Sequence, residues 1–151
     1  MEERKLNIGS GPWLMQGYVN IDDMSDWPNE EDYIDEMTEF LFNGAEFIRM
    51  DGNKMKFEDE SFDEVRSEQC IPEYVNNWDE VLRVLRPGGK IELIVWNNTL
   101  TKVIDELIKR KIEIRTVEMG NGDIDDGPDE WTIRIVGWKQ IEPKTDEEVE
   151  G

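Results

Sequence analysis

Histidine is absent from this 151-residue chain, and cysteine occurs once, at Cys70. Those two scarcities exclude zinc fingers, Cys/His metal clusters, histidine-based nucleophilic triads and paired redox thiols. An intramolecular disulfide is excluded as well, which suits a reducing compartment. Basic residues are also few: 17 Lys and Arg stand against 37 Asp and Glu, a formal net charge of −20. Nucleic acid is therefore an unfavourable partner, because binding a phosphate backbone depends on Lys and Arg displacing counterions, and anionic membranes are disfavoured for the same reason. No stretch of about 18 apolar residues occurs, as a membrane span would need. The chain opens into a strand-like Lys5-Leu6-Asn7-Ile8 with no apolar signal core, so a cytoplasmic location is expected. The acidity is read first as a solubility device.

What is present is enough for one domain. A chain of this length buries roughly 68–70% of its unfolded surface, a core that needs no staple. A single domain over residues 1–141 is expected, followed by an acidic, mobile tail from Glu142 to Gly151 that holds little to bury. No internal repeat is visible.

Apolar runs at 4–9 and 18–22 predict two strands, separated by Gly9-Ser10-Gly11-Pro12 and Gly17. Only eight residues, Ser10 to Gly17, lie between them, fewer than the dozen or so that a parallel crossover with a helix needs. Asn29 is placed to cap a helix beginning Glu30-Glu31-Asp32, with Tyr33, Ile34, Met37, Phe40 and Leu41 on one face and Asn43-Gly44 at its end. A third strand is predicted from Ala45 to Asp51 and a fourth from Phe62 to Cys70. A helix opening at Asn76 or Asn77 carries Trp78, Val81, Leu82 and Leu85, and Pro87-Gly88-Gly89 is expected to stop it. A fifth strand, Ile91 to Trp96, precedes an amphipathic helix marked by Leu100, Val103, Ile104, Leu107 and Ile108. Strands at Ile112–Met119 and Trp131–Trp138 close the chain. Strands alternating with helices predict an α/β fold with a mostly parallel sheet, whose ligands bind at the carboxyl ends of the strands.

At those ends stand Gly9-Ser10-Gly11, Asp22, Asp51-Gly52-Asn53 and Ser67-Glu68. Glycines allow a ligand to approach the backbone, a carboxylate after the second strand can accept both hydroxyls of a ribose, and an acid after the third can take an exocyclic amine. Together they describe a nucleoside site. The glycines do not form a dinucleotide fingerprint, because Leu14 occupies the third glycine position and Asp22 follows too soon. A nicotinamide-dependent oxidoreductase is disfavoured on that ground.

Three separated segments resemble small class I S-adenosylmethionine-dependent methyltransferases: Leu6 to Gly11 with Gly17 to Asp22, Asp51 to Phe57 with Asp59 to Asp63, and Glu80 to Gly89. The resemblance implies a Rossmann-like seven-stranded sheet with an antiparallel C-terminal hairpin, the first helix being reduced or absent. It implies S-adenosylmethionine as cofactor, with Gly9, Ser10 and Gly11 at its methionine part, Asp22 on the ribose, Asp51 on the adenine amine, Gly52 and Asn53 beside the ring, and Ser67 and Glu68 near the reacting end. Departures stand beside it: Asn7 replaces an acid common in relatives, and Glu73-Tyr74 stands where many have Glu-His.

The implied activity is methyl transfer to a small-molecule or protein acceptor, with Glu68, Glu73 and Tyr74 as candidate catalytic residues and no metal. The negative field favours a neutral or cationic acceptor. The expected acceptor contacts are Met24–Trp27, Cys70–Asn76, Trp96–Leu100 and the loop at Gly120–Glu130. The alternative is a catalytically inactive methyltransferase-like protein that acts through a partner. Trp13, Trp27 and Trp96 sit where they can cover a ligand, whereas Trp78, Trp131 and Trp138 are at core spacing. The acids Asp123, Asp125, Asp126, Asp129 and Glu130 do not make a calcium loop, since Pro128 and Arg134 occupy its glycine and glutamate positions.

Overall fold

The structure, a computed structural model, describes residues 3–119 and 131–141. Among these residues seven strands and three α-helices follow one another as β1 (Lys5–Ile8), β2 (Val19–Asp22), α1 (Glu30–Phe42), β3 (Glu46–Arg49), β4 (Phe62–Glu68), α2 (Trp78–Arg83), β5 (Leu85–Trp96), α3 (Leu100–Lys109), β6 (Ile112–Met119) and β7 (Thr132–Lys139). They form one sheet in the order β3-β2-β1-β4-β5-β7-β6. All pairs are parallel except those of β7, which runs antiparallel to β5 and β6. The expected α/β sheet with its terminal antiparallel pair is what the chain forms.

Register gives the sheet two unlike faces, because side chains alternate along each strand. Leu6, Val65 and Ile91 are aligned across β1, β4 and β5, and Leu93 with Ile135 continues the row. Against them pack Val81 and Leu82 of α2 and Val103 and Leu107 of α3, making the main core. On the opposite face, α1 lays Tyr33 and Met37 over Phe47 of β3, with Leu14, Met24 and Ala45 completing a smaller core. Beyond β1 that second face turns polar: Asn7, Arg66 and Glu92 are register neighbours.

The connection from β1 to β2 contains no helix, as its length predicts. Its backbone groups still need partners, and the fully buried Asn20 supplies them. Asn20 Oδ1 accepts from Met15 N at 3.0 Å and from Asn7 Nδ2 at 2.9 Å, while Nδ2 donates among Met15 O, Tyr18 O and Glu46 O at 2.9–3.1 Å. One amide therefore anchors the short loop, β1 and β3 together.

Three expectations need correction. First, α2 stops at Arg83 rather than at Pro87-Gly88-Gly89. Leu85 pairs with Phe62 as the first residue of β5, and the register then jumps to Glu64 opposite Lys90. The Pro-Gly-Gly segment is thus a bulge within a strand, and Gly89 is packed so closely that a Cβ there would lie 2.5 Å from Leu85 Cδ1. Second, the buried face of α1 is narrower than its sequence: Ile34 and Leu41 are exposed because α1 has only the short β3 end of the sheet to cover. Third, Trp131 precedes β7 and is exposed, and Trp138 lies under the Arg115 guanidinium at 4.5 Å rather than in the core. Trp78 is buried as expected. The caps Asn29 and Asn77 are both observed. The 120–130 loop and the 142–151 tail lie outside the described residues. No helix among the described residues is long and apolar enough to cross a membrane.

Candidate functional site

The carboxyl ends of β1, β2, β3 and β4 open onto one cavity of about 610 Å³. Gly9, Ser10, Gly11, Asp22, Asp51, Gly52, Glu68 and Tyr74 all line it, so the structure brings together eight of the residues singled out in the sequence.

Gly9 ends β1 in the left-handed region, at φ +68°, and its amide and that of Ser10 both donate to Ile21 O, at 2.8 and 3.1 Å. A Cβ at Gly9 would lie 2.3 Å from Cys70 Sγ. At Gly52 a Cβ would meet Ile8 and Val75, each at 2.8 Å. The cavity wall at these two points is bare backbone because a side chain has nowhere to go.

Asp22 is fixed from both sides: Oδ2 accepts from Gly11 N at 2.9 Å and Oδ1 from Met24 N at 2.7 Å. Burial raises its pKa above the ordinary carboxyl value even though both amides pull it down. Each oxygen retains a lone pair for a further donor. Asp51 is more open and accepts from Asn53 N at 2.8 Å through Oδ1.

Three predicted residues do not line the cavity. Ser67 is buried and donates to Ile8 O at 2.9 Å, bolting β4 to β1. Asn53 clamps the segment before α2: its Oδ1 accepts from Asn76 N and Asn77 N, and its Nδ2 donates to Tyr74 O. Glu73 is exposed and does not line the cavity.

The mouth is aromatic and acidic. Trp13 meets Trp27 edge to face at 5.9 Å, and Trp27 meets Tyr33 at 5.5 Å. Both tryptophans line the cavity as their positions predicted, whereas Trp96 does not. Tyr74 Oη donates to Asp26 Oδ1 at 3.1 Å, which raises the phenol pKa and keeps it protonated. Behind the mouth the Tyr33 hydroxyl is fully buried close to Ser10, its pKa raised by burial and by Asp22. Cys70 behaves as the small buried hydrophobe expected, its thiol pushed up to about 12 by burial.

Sequence reasoning missed Asp23, Arg66 and Gln69 as lining residues, while Asn7 was noted there as a departure from relatives and Asp26 fell within the expected acceptor stretch Met24–Trp27. Asn7 and Arg66 are register neighbours inside strands, so only the pairing of β1 with β4 places them together. Asp23 and Asp26 were visible as part of the acid-rich turn after β2.

These groups suit a nucleoside: a fixed carboxylate with spare lone pairs for a diol, a second carboxylate for an amine, and glycine walls for close approach. A sulfonium-bearing nucleoside fits the acidic cavity in charge as well. Among the described residues no group of three or more Cys, His, Asp or Glu could hold a metal.

Comparison with known proteins agrees. Residues 23–93 match the family described as "Methyltransferase domain". A phthiotriol/phenolphthiotriol dimycocerosates methyltransferase of Mycobacterium ulcerans is 47% identical over 49 residues, covering 30% of this chain and 18% of that protein. A sterol 24-C-methyltransferase of Gibberella zeae is 34% identical over 87 residues, covering 56% of this chain and 23% of that protein. The matches thus span about a fifth of the length of these curated relatives. A SAM-dependent methyltransferase of Methanosarcina mazei has the same fold, with a TM-score of 0.74 at 17% identity over 93% of this chain and 94% of that one. By its fold the chain is similar to this SAM-dependent methyltransferase, and the sequence of its middle is similar to the methyltransferase domain family.

Proposed function

We propose that the protein binds S-adenosylmethionine in this cavity and catalyses transfer of its methyl group to a neutral or cationic acceptor, a small molecule or a group on a protein. The observation that carries the reading is Asp22, held by two backbone amides at the carboxyl end of β2, with glycine-walled space on either side. In this reading Asp22 receives the ribose hydroxyls, Asp51 the adenine amine, and the backbone of Gly52 lies beside the ring. Gly9, Ser10 and Gly11 border the methionine part. Asn53 and Ser67 act from behind, holding the walls in place.

When bound, the cofactor supplies a methyl group already activated on a positively charged sulfur. The protein's task is then alignment, which by itself accounts for much of the acceleration in such reactions. Without histidine, a proton from the acceptor has carboxylates to go to: Glu68 and Asp26 are at the cavity mouth. Tyr74, kept protonated by Asp26, serves as a hydrogen-bond donor rather than as a base. Trp13, more than half exposed, and Trp27 offer faces to an acceptor, and the surrounding carboxylates favour one that is neutral or positively charged.

Calorimetric titration with S-adenosylmethionine and S-adenosylhomocysteine tests the reading. Micromolar binding by the wild type is expected, weakened at least tenfold in Asp22→Ala and in Asp51→Ala, followed by transfer of labelled methyl in an acceptor screen. Absence of binding by well-folded wild-type protein overturns it, and favours the alternative of an inactive protein acting through a partner.

A further inference from the structure

Five carboxylates line the cavity: Asp22, Asp23, Asp26, Asp51 and Glu68. Among its described lining residues one side chain is cationic, Arg66. S-Adenosylmethionine carries a carboxylate as well as its two cationic groups, and in this field a ligand carboxylate has one place to go. Resting on the cofactor reading above, we infer that Arg66 binds the methionyl carboxylate and so sets which end of the cavity the methionine arm occupies.

Arg66 lines the cavity, although its side chain is only 14% exposed. Arg66 lies on the sheet face beside Asn7, its register partner, where a crossover helix between β1 and β2 would otherwise pack. With that connection reduced to a short loop, no helix amino terminus offers its dipole to an anion there. A guanidinium rising from the sheet supplies the positive charge instead, in the forked geometry that matches a carboxylate.

The guanidinium is held ready rather than neutralised outright. Its Nε donates to Glu92 Oε1 at 2.9 Å, and this carboxylate also receives Arg134, through Nε at 2.7 Å. Glu92 is 13% exposed and acts as the buttress. On the cavity side one amino group reaches Glu68 Oε2 at 3.2 Å, but Glu68 is 53% exposed at the rim, where such a pair is weak. A ligand carboxylate displaces Glu68 and takes its place in the row Glu68–Arg66–Glu92–Arg134 without leaving any charge buried alone.

The test compares S-adenosylmethionine with its decarboxylated analogue on the unmutated protein, by calorimetry. The acidic cavity by itself favours the analogue, whose net charge is more positive. At least tenfold tighter binding of S-adenosylmethionine supports the inference, and equal or tighter binding of the analogue overturns it. In Arg66→Met the tenfold preference disappears while the analogue binds as before; a preference that survives in this variant also overturns it. Glu68→Gln, which removes the competing carboxylate, is expected to widen the preference in otherwise intact protein, and a narrower one counts against the displacement. Binding of neither compound by the wild type sinks the cofactor reading itself, a result distinct from binding without preference.

Discussion

Gly9 shows how one residue couples the fold to the site. Its positive φ costs any other residue about 1 kcal/mol or more, and the contact of an added Cβ with Cys70 brings in overpacking of about 1–3 kcal/mol. Gly9→Ala is therefore expected to lower stability by about 2–4 kcal/mol in urea unfolding. Cys70→Gly in the same chain removes both clashing atoms, Sγ and Cβ, and should return about half of the loss, the φ strain remaining. An unchanged midpoint in the double variant would show that the clash contributes nothing. Asp22 illustrates the opposite case, a residue whose charge is uncomfortable where it sits. Burial raises its pKa while two amides hold it in place, a combination that fits the binding role proposed for it.

At the scale of elements the decisive feature is the helix-free crossover from β1 to β2. A buried amide, Asn20, replaces the helix as the partner of the loop's backbone. Asn20→Ala leaves Met15 N, Asn7 Nδ2 and several carbonyls without that partner, at about 1–3 kcal/mol for each group that stays buried and unpaired. A net loss of about 3 kcal/mol is expected by thermal or urea unfolding, together with weaker cofactor binding, because the same loop carries Gly9 to Gly11. Unchanged stability would mean that water or a shifted loop satisfies these groups. The bulge at the start of β5 is a second element-scale device: it gives Pro87-Gly88-Gly89 a place within the sheet and lets α2 end early, where Arg83 binds Glu80, Asp59 and the carbonyls of Met55 and Phe57.

For the whole molecule, charge organises both stability and its dependence on pH. Burial alone would raise the carboxyl of Glu92, but Arg134 and then Arg66 hold it below the ordinary value of 4.5. Glu80 is lowered as well, first by its hydrogen bond from Arg83. Both groups bind fewer protons folded than unfolded, so the stability they contribute is complete above about pH 4.5 and is lost as pH falls through their lowered values. Asp22 works in the other direction: its raised pKa makes its charge a cost above that value, relieved on acidification. A stability plateau near neutrality with a fall below about pH 4.5 is the expected sum. Glu92→Gln should lower the plateau by about 3 kcal/mol, since it leaves two guanidinium groups without their shared carboxylate, and should make the acid limb shallower. Urea unfolding between pH 3 and pH 7 measures both, and an unchanged acid limb would remove Glu92 from this account. With a net charge of −20, added salt should stabilise the protein generally by screening self-repulsion.

The strands, the caps at Asn29 and Asn77, the shortened crossover and the acids at the ends of β2 and β3 were legible in the sequence because each is a local matter of periodicity, capping chemistry or spacing. The lack of histidine and the shortage of cations narrowed the chemistry before any contact was known. The tertiary structure alone decided what depends on residues far apart in the chain: that Pro87-Gly88-Gly89 bulges beside Phe62 instead of capping a helix, that Ser67 and Asn53 serve the walls, and that Asn7 stands beside Arg66 on the sheet face that borders the cavity. Periodicity along one strand says which side chains share a face. Only the pairing of strands says which other strand's side chains they meet there, and in this protein that pairing is what puts Arg66 among five carboxylates.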